Sequence, residues 1–165
     1  SPHVKNAPTL DESGNLMISK WAFDHGLATD KFIDLGFVPN TEMPNHLRDI
    51  DLAVFPNRCE GGTNLVAMEA MSCGVPTIIA ANTGQLDLID EENCYALSSD
   101  KKVAFPGYVT EGWGESSIEE LVSLMEKAYT NSRSAKMRGL IGSEFIQKLS
   151  WEKQIGKLFD FLEEY

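Results

Sequence analysis

The sequence is short of positive charge and lacks any long apolar run. It has 14 lysine and arginine residues against 25 aspartate and glutamate residues, which gives a net charge of −11. This excess of negative charge argues against nucleic acids and anionic membrane surfaces as main partners. Every apolar run is well below the roughly 20 residues of a membrane-spanning helix, and no signal-peptide pattern is present. We therefore expect no nucleic-acid partner and no membrane-spanning segment.

Cysteine and histidine are also scarce, at three residues each. Cys59, Cys73 and Cys94 are odd in number and lack the spacing of metal ligands. The histidines are scattered along the chain, so the sequence predicts no metal site. Because unpaired cysteines are typical of a reducing compartment, we expect a cytoplasmic protein.

The rest of the composition is that of one globular domain. The 165 residues are 42% apolar and 24% charged, which allows one sizeable core. Short apolar runs at residues 32–38, 52–55 and 77–80 alternate with helical patterns. This alternation predicts an α/β fold, with a Rossmann-like parallel sheet flanked by helices. The chain is predicted to be helical from about residue 116 onward.

A glycine-rich turn and a helix connect the second and third predicted strands. Gly61 and Gly62 permit backbone angles that other residues resist. Thr63 or Asn64 is suited to cap the helix N-terminus, and Gly74 to end the helix. Ligands of parallel sheets bind outside the carboxyl ends of the strands, so this turn is the candidate site.

Two other segments allow more than one interpretation. The turn at residues 82–84 lies at the same predicted sheet edge as the glycine-rich turn. It either contributes to a ligand site or is an ordinary helix cap, and we favour the cap. Between residues 98 and 116 the regular pattern stops. Trp113 there either contacts a sugar or packs at the edge of a core, and we favour packing.

The helix after the turn carries one unexpected charge, Glu69. Residues 65–73 are otherwise apolar except for Ser72, so we expect a helix inside the domain and a poorly exposed carboxylate. Helical side chains lean toward the N-terminus, which aims Glu69 back at the turn, where Glu60 also lies. The spacing leaves open that Glu69 has a structural partner and that Glu60 is merely solvated.

Residues 60–80 resemble a known donor-site signature, that of retaining glycosyltransferases of family 4 (group 1). The family motif is a Glu, a Gly-rich turn, a second Glu, and a run similar to residues 70–76. The resemblance extends to residues 32–38, 47–56 and 149–152. The family usually has seven residues between the two acids, whereas eight separate Glu60 from Glu69. We attribute the extra residue to the glycine pair in the turn.

The resemblance implies the C-terminal half of a GT-B fold, which binds a UDP- or GDP-sugar donor. It implies a catalytic-site role for Glu60 toward hydroxyls of the donor sugar, and a role for Glu69 in holding the ribose. Such enzymes generally need no catalytic metal, and we expect no cofactor. The further donor-binding residues implied by the resemblance are Gly61, Gly62, Thr63, Asn64 and Leu65.

The domain organisation also follows from the resemblance. The family's donor domain normally begins with a strand and helix that carry an Arg and a Lys, and no match precedes residue 31. We therefore interpret residues 1–165 as a single truncated C-terminal nucleotide-sugar-binding domain, with a helical part at about 116–165. The acceptor would bind a missing N-terminal domain, so the isolated fragment should be inactive. The alternative is a non-catalytic nucleotide-binding or scaffold domain with a GT-B-like fold.

Overall fold

The computed structural model describes residues 10–12 and 17–163. Residues up to Asn40 and those from Thr41 onward form two compact units. The first unit contains helix α1 (Ile18–Asp24) and a short 3₁₀ helix (Thr29–Lys31). The spacing of apolar residues between positions 13 and 26, with Gly26 as a stop, predicts a helix there from the sequence. Residues 13–16 of that prediction lie outside the described part of the chain.

The prediction of a strand at residues 32–38 is wrong. The described backbone is irregular there. The amide of Gly36 donates to the Asp34 carboxylate at 2.9 Å, and Gly36 has a φ of +61°. This local turn interrupts the extended path that a strand requires. The apolar side chains that suggested a strand are exposed instead, Ile33 by 81% and Phe37 by 93%.

The second unit contains a three-stranded parallel sheet. Its strands are β1 (Ala53–Phe55), β2 (Thr77–Ala80) and β3 (Tyr95–Leu97), in the order β1-β2-β3. Ile78 lies opposite Val54 on one side and Tyr95 on the other. The predicted parallel α/β architecture is confirmed, although β3 was not predicted.

Helices of the second unit and a small antiparallel pair of strands accompany this sheet. The pair, β4 (Lys101–Lys102) and β5 (Gly114–Glu115), lies within the segment where the sequence showed no regular pattern. From Met43 to Leu97 short helices alternate with strands, and from Ile118 onward three long helices follow. The remaining elements are α2 (Met43–Arg48), α3 (Leu65–Ser72), a 3₁₀ helix (Thr83–Leu88), α4 (Ile118–Thr130), α5 (Ser132–Gln147) and α6 (Trp151–Glu163).

The central strand β2 divides the core into two clusters. All four of its residues are buried, and successive side chains point to opposite faces of the sheet. Ile78 packs in the cluster that includes residues of α4 and α5. Ile79 packs in the cluster that includes Ala67 and Met71 of α3. This second cluster fixes α3 beside the sheet, so that its N-terminus follows the carboxyl end of β1.

Candidate functional site

The site is built around residues 60–64, here called the glycine loop, which precede α3. Asn64 is the helix cap, and its side-chain oxygen accepts a hydrogen bond from the amide of Ala67 at 3.1 Å. Its φ of +43° lies in the left-handed region, which asparagine tolerates better than most residues. At the other end of α3, Gly74 has a φ of +76° and terminates the helix as predicted.

The loop leaves several backbone amides available to a ligand. Gly61, Gly62, Leu65 and Val66 are exposed. Among the described residues, none accepts a hydrogen bond from the amides of these four. Free amides and the positive end of the helix dipole favour a bound anion. The start of α3 therefore has the chemistry of a phosphate-binding site.

Glu60 lies at the entrance of the glycine loop and is half-buried. One oxygen of its carboxylate accepts a hydrogen bond from the side-chain amide of Asn57 at 2.9 Å. Its backbone amide donates to the hydroxyl of Thr83 at 2.7 Å. These two contacts hold the residue at both its side chain and its backbone.

Glu69 is exposed, so the expectation of a poorly exposed carboxylate was wrong. The helix buries Ala67, Ala70 and Met71, whereas Leu65 is 72% exposed and Val66 is 60% exposed. Residues 65, 66 and 69 share one helical face, which is open in the second unit. An apolar composition did not reveal that only one face of α3 is covered.

Glu69 is also without a structural partner in the described part of the chain. None of the hydrogen bonds or ion pairs among those residues involves its carboxylate. The residue lies four positions after Leu65, or about 6 Å further along the helix axis. Its carboxylate is therefore available to a ligand that reaches from the free amides along the open face of α3.

A network of hydrogen bonds from buried side-chain amides supports the glycine loop, and the sequence did not predict it. Asn82 occupies the N-cap position of the 3₁₀ helix, as the favoured interpretation expected, but its side chain makes no capping hydrogen bond. Its amide group instead donates to the carbonyl of Asn57 and to the hydroxyl of Ser99, both at 2.8 Å. Gln85, fully buried, donates to the same carbonyl at 3.3 Å and accepts from the Asn64 side chain at 2.9 Å. Such contacts join distant segments, which is why local sequence patterns do not show them.

The segment from residue 98 to 116 borders the same region. Arg58, in the turn after β1, forms an ion pair with Glu115 at 2.9 Å. Its hydrogen bond lowers the pKa of the Glu115 carboxyl below the ordinary value. Trp113 is half-buried, with its ring centroid 6.2 Å from that of Phe105, in keeping with the packing role that we favoured.

Two further properties concern metals and membranes. Residues 10–12 and 17–163 contain no group of three or more His, Cys, Asp and Glu side chains arranged to hold a metal ion. None of the helices over the same residues combines the length and apolar character needed to cross a bilayer.

Comparison with known proteins identifies the family of the chain. A sequence model of the glycosyl transferases group 1 family matches residues 14–122, which is more than half of the chain. The chain belongs to this family. The match covers the glycine loop and both acids, so the glycosyltransferase resemblance of this region is confirmed.

Solved structures share the fold of this group 1 glycosyltransferase chain. HepE of Anabaena in complex with UDP is 17% identical, with a TM-score of 0.67 over 90% of this chain and 36% of HepE. Sucrose-phosphate synthase of Thermosynechococcus elongatus is 24% identical, with a TM-score of 0.66 over 89% of this chain and 34% of the synthase. The C-terminal domain of the group 1 protein LpcC of Francisella tularensis is 19% identical, with a TM-score of 0.58 and coverages of 79% and 59%.

These structures confirm the expectation of a GT-B glycosyltransferase domain fold. The chain spans about a third of the length of HepE and of the synthase. No protein with a curated description matches the chain significantly.

Proposed function

We propose that this chain binds the donor of a retaining glycosyltransferase of family 4, a nucleotide-diphosphate sugar, for transfer of a hexosyl group. The observation that carries the proposal is the set of free amides at the start of α3, in a chain of the glycosyl transferases group 1 family. HepE, which shares the fold, has been solved with UDP and with UDP-glucose. A uridine diphosphate sugar is therefore the first donor to test.

The residues of the site divide between the parts of such a donor. The amides of the glycine loop and of Leu65 bind the diphosphate and stabilise the negative charge that grows as it leaves. Glu69 accepts hydrogen bonds from the ribose hydroxyls. Glu60 binds hydroxyls of the sugar, near the anomeric carbon where positive charge develops. In a retaining reaction the acceptor then enters on the face that the diphosphate leaves.

The test of donor binding is a titration of the chain with UDP, followed by NMR. Because the chain spans only part of its structural relatives, we expect weak binding by the wild type. In Glu69→Gln a weaker acceptor faces the ribose. A hydrogen bond to a charged group contributes about 1.5–3 kcal/mol, so the dissociation constant should rise roughly ten- to a hundredfold. The melting temperature should hardly change, because the carboxylate is exposed.

Glu126→Gln is the matched control for this substitution. Glu126 is also an exposed helical glutamate, and it lies in α4. We expect it to change neither the melting temperature nor UDP binding. A lower melting temperature with unchanged UDP binding in Glu69→Gln would instead assign Glu69 a structural role.

Transfer itself requires the parent protein, with its acceptor-binding domain. We expect that protein to form a glycoside whose anomeric configuration equals that of the donor, which NMR of the product measures. The isolated chain should show no transfer. We expect the whole enzyme to be cytoplasmic. Nucleotide binding without any transfer by the parent protein would favour the non-catalytic alternative.

A further inference from the structure

Three consecutive residues of the 3₁₀ helix each contact a different residue of the glycine loop. Residues 83, 84 and 85 meet residues 60, 62 and 64 in the same order. The glycine loop, which precedes β2 in the sequence, therefore lies along a short segment that follows β2. We propose that Thr83, Gly84 and Gln85 are positioning residues that set the conformation of the glycine loop for the diphosphate, an inference that rests on the proposed function.

Thr83 holds the entrance of the loop. Its hydroxyl accepts a hydrogen bond from the amide of Glu60 at 2.7 Å and donates to the side-chain oxygen of Asn82 at 3.0 Å. Asn82 is buried and is itself held by Asn57 and Ser99. Thr83 has a φ of +40°, a conformation that is costly for a β-branched residue. The strained backbone brings the hydroxyl to the amide of Glu60.

Gly84 sets how closely the loop approaches. A Cβ atom added to Gly84 would lie 1.6 Å from the carbonyl oxygen of Gly62 and 2.7 Å from its carbonyl carbon. Both atoms belong to the backbone, so no side-chain rotation can relieve the clash. Gly62 itself has open space around its own Cβ position. The close packing of the loop at Gly62 therefore depends on the absence of a side chain at Gly84.

Gln85 holds the end of the loop. It is fully buried, and its side-chain oxygen accepts a hydrogen bond from the amide group of Asn64 at 2.9 Å. The side-chain oxygen of Asn64 in turn accepts a hydrogen bond from the backbone amide of Ala67, which caps α3. Gln85 thus orients the residue that fixes the first turn of the helix, next to the free amides.

The test compares Thr83→Val, which removes the hydroxyl at nearly constant volume, with Thr83→Ser, which keeps it. Gly84→Ala is the second perturbation. Amide hydrogen exchange of residues 57–64 reports the order of the loop without any ligand, and a UDP titration reports its function. A net hydrogen bond corresponds to about a two- to tenfold change in an equilibrium. We expect changes of that size in loop exchange and in UDP dissociation constant for Thr83→Val, and restoration of both in Thr83→Ser.

Gly84→Ala should raise loop exchange and weaken UDP binding in the same way. Thr130→Val, at the exposed end of α4, and Gly156→Ala, in α6 with open space around its Cβ position, are matched controls. We expect both controls to match the wild type in loop exchange and in UDP binding.

Two results would overturn the inference. One is loop exchange equal to that of the wild type in both Thr83→Val and Gly84→Ala. The other is faster loop exchange with unchanged UDP binding, which would leave these residues a purely structural role. A wild-type chain that does not bind UDP would contradict the proposed function instead, and the exchange measurement would still decide whether residues 83–85 hold the loop.

Discussion

At Gly139 a single added methyl group should lower the free energy of unfolding, because it would meet backbone atoms. The glycine lies in α5, where a Cβ atom would come within 2.1 Å of the carbonyl oxygen of Gly74 and 2.9 Å of the backbone nitrogen of Pro76. Both neighbours are backbone atoms of the connection from α3 to β2. Gly139→Ala therefore forces two packed segments apart.

The magnitude follows from two opposing effects. Overpacking a close contact typically costs 1–3 kcal/mol, and contact with rigid backbone belongs to the upper part of that range. Alanine in a helix interior gains about 0.5–1 kcal/mol over glycine. The net loss for Gly139→Ala is about 1–2 kcal/mol, which corresponds to a fall in melting temperature of roughly 2–8 °C for a chain of this size.

Gly156→Ala provides the control for helix propensity. Gly156 is also helical, but within the described part of the chain no atom outside its own helical turns lies within 4 Å of its Cβ position. This variant should be more stable than the wild type by about 0.5–1 kcal/mol. Urea denaturation followed by circular dichroism measures the free energy of unfolding of both variants. Equal stability of Gly139→Ala and Gly156→Ala would refute the close backbone contact.

Two further predictions concern stability. Burial raises the pKa of the Cys94 thiol from 9.0 to about 11. The contribution of the neutral thiol to the free energy of unfolding should therefore be fully present below pH 9, and on the order of 2–3 kcal/mol should be lost as the pH rises to about 11. Urea denaturation from pH 8 to 11 measures this, and Cys94→Ala should lack the alkaline loss; an equal loss in both proteins would contradict it. Ser117 caps α4 by accepting from the amide of Glu120 at 3.2 Å, so Ser117→Ala should cost about 1 kcal/mol. The exposed Ser123→Ala in the middle of α4 should not destabilise, and equal unfolding free energies of the two variants would exclude the cap.

The prediction of β2 succeeded because its burial is continuous. Residues 77–80 form an apolar run that is buried on both faces of the sheet, so their composition identified β2. β3 has only three residues and alternates buried with exposed positions, a pattern too short to distinguish from a loop. Residues 32–38 also form a short apolar run, but the turn between Asp34 and Gly36 prevents an extended strand.

The candidate site was predictable in its local parts only. The Gly-rich turn, a cap at Asn64 and a stop at Gly74 are each encoded within a few residues, and they occur as expected. The exposure of Glu69 depends on which face of α3 the remaining elements cover, and a short apolar helix does not encode that. Similarly, the hydrogen bond from Glu60 to Thr83 joins residues 23 positions apart in sequence.

Both ends of α3 are positioned by a close approach between two glycines. Gly62, before the helix, meets Gly84, and Gly74, after it, meets Gly139. Each contact leaves no room for a methyl group, but only the first lies beside the free amides. Gly84→Ala should therefore weaken UDP binding, whereas Gly139→Ala should lower the free energy of unfolding and leave the UDP affinity of the folded chain unchanged. If Gly139→Ala also weakened UDP binding in the folded chain, α3 would move as one rigid body, and the two ends could not be treated separately.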